Sequence, residues 1–99
     1  MENNSQEIVR VHIWIKGRVQ GVGFRAHVEF QALQIGVVGW VRNVDRNMVE
    51  TVAEGSPEKI ERFINTVKQG SNLSRVDEAK IEYEEPTGHL EGFTVKRAV

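Results

Sequence analysis

Gly17, Gly21 and Gly23 crowd ahead of Arg25 in the run Gly17-Arg18-Val19-Gln20-Gly21-Val22-Gly23-Phe24-Arg25. A glycine-rich stretch of this kind can turn several backbone N–H groups toward one point, because glycine accepts positive φ and lets backbone approach a ligand closely. A helix opening at its end adds the partial positive charge of its N-terminus. Arg25, in the first turn of that helix, brings a planar fork of donors that suits phosphate oxygens. The chemistry on offer is capture of a phosphate-like anion.

Two familiar phosphate motifs do not account for the run. Gly21-Val22-Gly23-Phe24-Arg25-Ala26 formally satisfies the dinucleotide pattern G-x-G-x-x-A. The acidic residue at about the right distance, Asp45, falls in a hairpin tip instead of at a strand end, and the chain is too short for a doubly wound sheet. A P-loop needs Gly-Lys-Ser/Thr, which is absent. Taken alone, the glycines are also satisfied by a tight turn that binds nothing.

The elements that must hold these residues are legible from periodicity. Ile8 to Lys16 alternates, with Val9, Val11, Ile13 and Ile15 on one face and Arg10, His12, Trp14 and Lys16 on the other, which predicts a half-buried strand. From Phe24 the spacing turns helical, with Val28, Ala32, Leu33 and Ile35 on one stripe and Gly36 as the stop. Val37–Val44 and Val49–Ala53 read as strands joined by Asp45-Arg46-Asn47, where Asn47 is expected to take the left-handed conformation. Ser56-Pro57-Glu58 caps a second helix, whose Ile60, Phe63, Ile64 and Val67 recur at i, i+3, i+4 and i+7 before Gly70. Arg75–Glu85 is a charged edge strand, Pro86–Leu90 a turn, and Gly92–Arg97 a short last strand. The order βαββαβ predicts an α+β, ferredoxin-like sandwich: one mostly antiparallel sheet with both helices on one face and a short fifth strand. Right-handed crossovers make the first two strands parallel with the third between them, so Arg25 and Asn43 come to the same sheet edge.

Composition narrows the function classes. The 99 residues hold 13 Lys plus Arg against 14 Asp plus Glu, a formal net charge of −1, which argues against non-specific binding to nucleic acid or membrane surfaces. Hydrophobic residues make up 39% and charged residues 27%, the balance of a folded domain. Without cysteine there is no disulfide, thiolate zinc site, iron–sulfur cluster or cysteine nucleophile. Residues 1–7 form a polar tail without the layout of a signal peptide, ahead of one domain over 8–99. A cytoplasmic protein is expected.

Two segments together carry a resemblance. Gly17 to Arg25, and Gly39-Trp40-Val41-Arg42-Asn43 followed by Val49-Glu50 and Glu54-Gly55, resemble the two signatures of the acylphosphatase family. The likeness extends from about Ile8 to about Lys96. It implies hydrolysis of the carboxyl–phosphate bond of acyl phosphates by a monomer, without metal or cofactor. Small acyl phosphates are then the substrates and inorganic phosphate is product and inhibitor. The resemblance further implies that Arg25 and the loop Val19, Gln20, Gly21, Val22, Gly23 and Phe24 bind the phosphoryl group, while Asn43 orients the attacking water. Position 23 is glycine where many members carry a larger residue, and Asp45-Arg46-Asn47 stands where Asp-Gly is frequent.

Elementary chemistry is compatible with those roles. A carboxylate leaves readily, so no strong acid is required, and phosphoryl transfer is chiefly positioning and charge neutralisation. Asn43 cannot act as a base, but its carboxamide can accept from a water and hold it in line. The proton can pass to the substrate's own phosphate oxygen.

Other polar residues draw plainer readings. His12 and Trp14 share the outer strand face with Trp40, His27 is a bystander near Arg25, and His89 lies in a loop; the spacing of the three predicts no metal site. Glu84-Glu85 reads as a solvated strand end, and Arg18 and Arg42 either steer an anion or are solvated charges. Phe30, Leu33, Phe63, Ile64 and Phe93 are core candidates. The rival function is a ferredoxin-like module binding RNA or a small ligand, with Trp14 and Trp40 as stacking platforms. A phosphate-binding relic without turnover is the third.

Overall fold

In a computed structural model that describes residues 7–99, the alternation of the first strand decides the layering. Val11, Ile13 and Ile15 of β1 (Val9–Arg18) are fully buried under the helices, while His12 and Trp14 face the open side of the sheet. The chain continues through α1 (Phe24–Ile35), β2 (Val38–Val44), β3 (Met48–Gly55), α2 (Pro57–Gln69), β4 (Arg75–Glu84) and β5 (Phe93–Val95). The five-stranded sheet has the order β4-β1-β3-β2-β5. Both β1 and β2 pair antiparallel with β3, so they run parallel to each other with β3 between, as right-handed crossovers require. The fold is the ferredoxin-like α+β sandwich. The fifth strand is shorter than expected and pairs parallel with β2. Of the polar tail expected over residues 1–7, all but Glu7 lies outside the described residues.

Each helix presents one stripe to that sheet. α2 begins as its sequence predicts: Ser56 Oγ accepts from Lys59 N at 3.3 Å, Pro57 takes the first position, and Ile60, Phe63 and Val67 are buried. Full burial of each such side chain contributes about 1.5–3 kcal/mol, which exceeds what propensity alone offers. α1 buries Phe24, Val28, Ala32 and Ile35.

Phe30 and Leu33 correct the expected core, being 59% and 58% exposed. At 3.6 residues per turn they lie roughly 150° round the helix from the buried stripe, so the helix cannot bury them together with Val28 and Ile35. Phe63 and Phe93 are buried with ring centroids 5.8 Å apart, and Ile64 packs at the core's margin. The β2–β3 turn also differs from expectation. Asp45, with φ 54°, takes the left-handed conformation instead of Asn47. A short polar side chain tolerates that conformation at either position. Here the residue directly after the strand reverses the chain while its N–H donates to Val99 O at 3.0 Å.

Candidate active site

β1 loses its regular pairing with β4 between Lys16 and Gly17, and the chain then leaves the sheet as the loop 19–23. Gly21 and Gly23 hold φ of 73° and 77°, a region costly for any residue with a Cβ, and neither has another atom within 4 Å of where a Cβ would sit. Their glycines are therefore demanded by backbone curvature rather than by crowding. Gly23 is also the N-cap of α1, offers no side-chain cap, and is followed by no acidic residue in the first turn. The first N–H groups of α1 are thus left with no side-chain cap and no carboxylate in the first turn.

Arg25 follows two residues later, half-buried, and among the described residues no carboxylate pairs with it. A cleft of about 230 Å³ opens here, lined by Val19, Gly21, Gly23, Phe24, Arg25, Ala26, Glu29 and Val95. Five of the expected loop residues therefore meet at one cleft. Gln20 and Val22 do not line it; Val22 borders a separate cleft with His27 and Ser71. Glu29 and Val95 were missed by the sequence reading. Glu29 is one helical turn beyond Arg25, a spacing that sets it on the same face. Val95 arrives only through the pairing of β5 with β2.

Asn43 lies near the end of β2, on the same sheet face as buried Val41. Its Oδ1 is buried and accepts no hydrogen bond from the protein. Such an acceptor is costly unless water or a ligand completes it. Asn43 does not itself line the 230 Å³ cleft; its strand is joined to the loop by polar contacts. Gln20 Nε2 donates toward Val44 O at 3.2 Å, Asp45 O at 3.2 Å and Met48 O at 2.9 Å, and Gly17 N donates to Asn47 O at 3.1 Å. The glycine loop and an unpaired amide oxygen thus sit on two parts clamped together.

This geometry coincides with family membership. The acylphosphatase family model matches residues 11–95, which include the glycine loop, Arg25 and Asn43. The chain belongs to the acylphosphatase family. An acylphosphatase of Synechococcus is 50% identical over 91 residues, covering 92% of this chain and 96% of the relative. An acylphosphatase of Thermococcus kodakarensis is 51% identical over 87 residues, covering 88% and 94%. The crystal structure of acylphosphatase from Bacillus subtilis superposes with a TM-score of 0.85 at 34% identity, covering 89% of this chain and 98% of that one. The protein is an enzyme, and acyl phosphate hydrolysis is its reaction.

The open face of this acylphosphatase explains the side chains that suggested an RNA platform. His12 stacks on Trp14 with centroids 3.8 Å apart and meets Trp40 edge-on at 6.2 Å. Its ring nitrogens lie 2.7 Å from Glu84 and 2.6 Å from Glu50. Arg10 donates to Glu54 at 2.8 Å and to Glu84 at 2.9 Å. Glu84 is exposed at the end of β4, as expected of a solvated strand end, and also joins this network. Arg42 donates to Glu50 at 2.8 Å and covers Trp40, on the face away from Asn43, which removes it from the cleft. Burial alone would raise the Glu50 carboxyl, but hydrogen bonds from His12 and Arg42 outweigh it and hold it below the ordinary value. Glu54 is lowered likewise against its burial, by the Thr87 and Gly88 N–H groups and Arg10. The hydrogen bond from His12, then that from Arg10, lowers Glu84.

Proposed function

We propose that the phosphoryl group of a small acyl phosphate seats against Arg25 and the amides of Gln20, Gly21, Val22, Gly23 and Phe24, and that Asn43 holds the attacking water. The loop N–H groups and the guanidinium fork neutralise the phosphoryl oxygens, on which charge is concentrated as the bond to the carboxylate breaks. The carboxamide oxygen of Asn43 accepts from the water and sets its lone pair toward phosphorus; the water's proton goes to a phosphate oxygen and the acyl group leaves as carboxylate. No group with a strong base's pKa is needed, and the step is written without metal or cofactor. The observation that carries this reading is the buried, partnerless Oδ1 of Asn43 on the strand end that the loop is clamped to.

A monomer is the proposed working unit, since the loop, Arg25 and Asn43 all lie within the one stretch of sequence, residues 11–95, that the family model matches. Inorganic phosphate, having the charge of the seated group, competes for the same cradle. A cysteine-free sequence has no need of an oxidising compartment, and the cytoplasm is the proposed location. Among the described residues no helix is long and apolar enough to cross a membrane. The test is phosphate release from an aromatic acyl phosphate, with chelator present, by the wild type and by Arg25→Gln and Asn43→Ala. Turnover that survives chelation and collapses in both folded variants is expected; a folded variant with wild-type turnover would sink the assigned role of that residue, and loss of wild-type turnover on chelation would sink the metal-free step.

A further inference from the structure

We infer that the Gln20 side chain is a positioning residue, which sets the distance between the phosphate cradle and the water held by Asn43. The inference rests on the roles proposed above for the loop and for Asn43. The sheet order makes such a device necessary. The loop leaves β1, whereas Asn43 sits on β2, and β3 lies between them. Two strand spacings, roughly 10 Å, therefore separate the two halves of the site. Nothing in the loop's own backbone pattern ties it to β2, since residues 19–23 belong to neither strand nor helix. The Gln20 carboxamide crosses that gap. One nitrogen serves the carbonyls of Val44 and Asp45, directly after Asn43, and the carbonyl of Met48 at the start of β3. A two-hydrogen donor shared among three carbonyls holds the hairpin from both of its arms, so neither arm can shift against the loop without losing a bond. Gly17 N to Asn47 O pins the same hairpin at its turn, but from the end of β1 and not from the loop.

A tie differs from a cradle wall in what its loss does. Binding phosphate needs the loop and Arg25 but not Asn43, whereas hydrolysis needs water and phosphorus aligned, and misplacement on the scale of 1 Å can cost about a hundredfold in rate. Gln20→Ala should therefore lower kcat by about 10–100-fold while the Ki for inorganic phosphate changes less than threefold. The effect should vanish where there is no positioned water to misplace: in an Asn43→Ala background, adding Gln20→Ala should cost less than about threefold. Gln20→Glu keeps the size but presents a carboxylate to three carbonyl oxygens, and should lose kcat at least as far. Its added negative charge beside the cradle should also weaken phosphate binding, so the split between kcat and Ki is read from Gln20→Ala alone.

The experiment measures kcat, phosphate Ki and denaturant midpoint for the wild type, Gln20→Ala, Gln20→Glu, Asn43→Ala and the double variant Gln20→Ala/Asn43→Ala, with an aromatic acyl phosphate as substrate. A wild type that does not hydrolyse it overturns the proposed reaction and this inference together. With an active wild type, three results overturn the inference alone: kcat in Gln20→Ala within threefold of wild type, a Ki that rises in step with the loss of kcat, or a loss that multiplies undiminished in the Asn43→Ala background. Failure of both Gln20 variants to fold would make Gln20 a structural residue and end the proposal as well.

Discussion

The two sides of β2 treat polar groups in opposite ways. On the open face, Arg42 is bound to Glu50, Glu50 to His12, His12 to Glu84, and Glu84 and Glu54 to Arg10, so the arginines and carboxylates satisfy each other. At the loop edge, one residue along the strand, Asn43 Oδ1 is buried without a partner, and Arg25 has no carboxylate among the described residues. Both regions carry guanidinium groups and both are partly buried. Chemistry of residue type alone does not separate them. What separates them is completion: a network whose members answer one another stabilises the fold, whereas the proposed reading keeps the unanswered groups at the loop edge for the substrate and its water.

The largest expected effect breaks the loop side. Arg25→Gln should reduce kcat/KM by about 10³–10⁵, the range found when an arginine that neutralises a transferring phosphoryl group is lost. It should also weaken phosphate inhibition, with the denaturant midpoint unmoved because Arg25 has no carboxylate partner to abandon. Arg25→Lys should restore little, since an ammonium lacks the fork. A loss of more than about 1 kcal/mol of unfolding free energy would mean that Arg25 belongs with the paired arginines after all.

Asn43→Ala comes next, with kcat down by about 10²–10³ and phosphate Ki little changed, because the neutral amide adds nothing to anion binding. Asn43→Asp should be equally poor, since a carboxylate beside the phosphoryl oxygens repels them. If the activity of Asn43→Ala falls only as far as its folded fraction falls, Oδ1 is not a water acceptor.

How much of this contrast was readable beforehand follows from how local each feature is. Alternation in β1, the Ser56-Pro57 start of α2 and the glycine run before Arg25 depend on neighbours within a turn or a strand, and all hold in the structure. Two other features depend on distant pairing. Val95 reaches the cleft because β5 joins β2, and Glu54 becomes buried because the segment at Thr87 and Gly88 folds over it. Neither pairing leaves a periodic mark in sequence. Phe30 and Leu33 were misplaced for another reason: apolar type was counted, but the angle round the helix was not.

On the paired side, Glu54→Ala should lower stability by about 2–3 kcal/mol with kcat kept within threefold. It removes one of the two acceptors of Arg10 and the acceptor of the Thr87 and Gly88 N–H groups and of the Thr87 hydroxyl, leaving Arg10 with Glu84 alone and two backbone donors without their partner. An equally large loss of kcat in the folded variant would show that the two sides of the sheet are coupled. Acid should reproduce the effect in milder form. The folded carboxyls of Glu50, Glu54 and Glu84 lie below their ordinary value of 4.5, so their contribution is complete above that value and disappears as pH falls through the lower folded values. Chemical denaturation at stepwise lower pH should show stability falling below about pH 5, and Glu54→Ala should flatten that slope.

The smallest effect makes the sharpest comparison, because it concerns the residue next to Asn43. Arg42 and Asn43 are neighbours in sequence, and strand alternation sends their side chains to opposite faces. If completion decides role, Arg42→Ala should cost only about 0.5–1 kcal/mol of stability, the value of a partly exposed ion pair, and leave kcat/KM within twofold of wild type. The competing idea is that a cation near the site draws anionic substrate in by long-range attraction. That idea predicts a different pattern. Steering acts on association and is screened over about 10 Å at 0.1 M salt, so Arg42→Ala would lower kcat/KM at low ionic strength and flatten its salt dependence while kcat stayed put. Already paired with Glu50 at 2.8 Å and lying over the Trp40 ring, Arg42 presents solvent with a neutralised pair instead of a free cation. Its field at the cleft is correspondingly weak. Measuring kcat/KM for wild type and Arg42→Ala across a salt series, beside their denaturant midpoints, decides between the two. Parallel salt curves with a small midpoint shift place Arg42 in the network, whereas converging curves with equal midpoints would return it to the substrate's path.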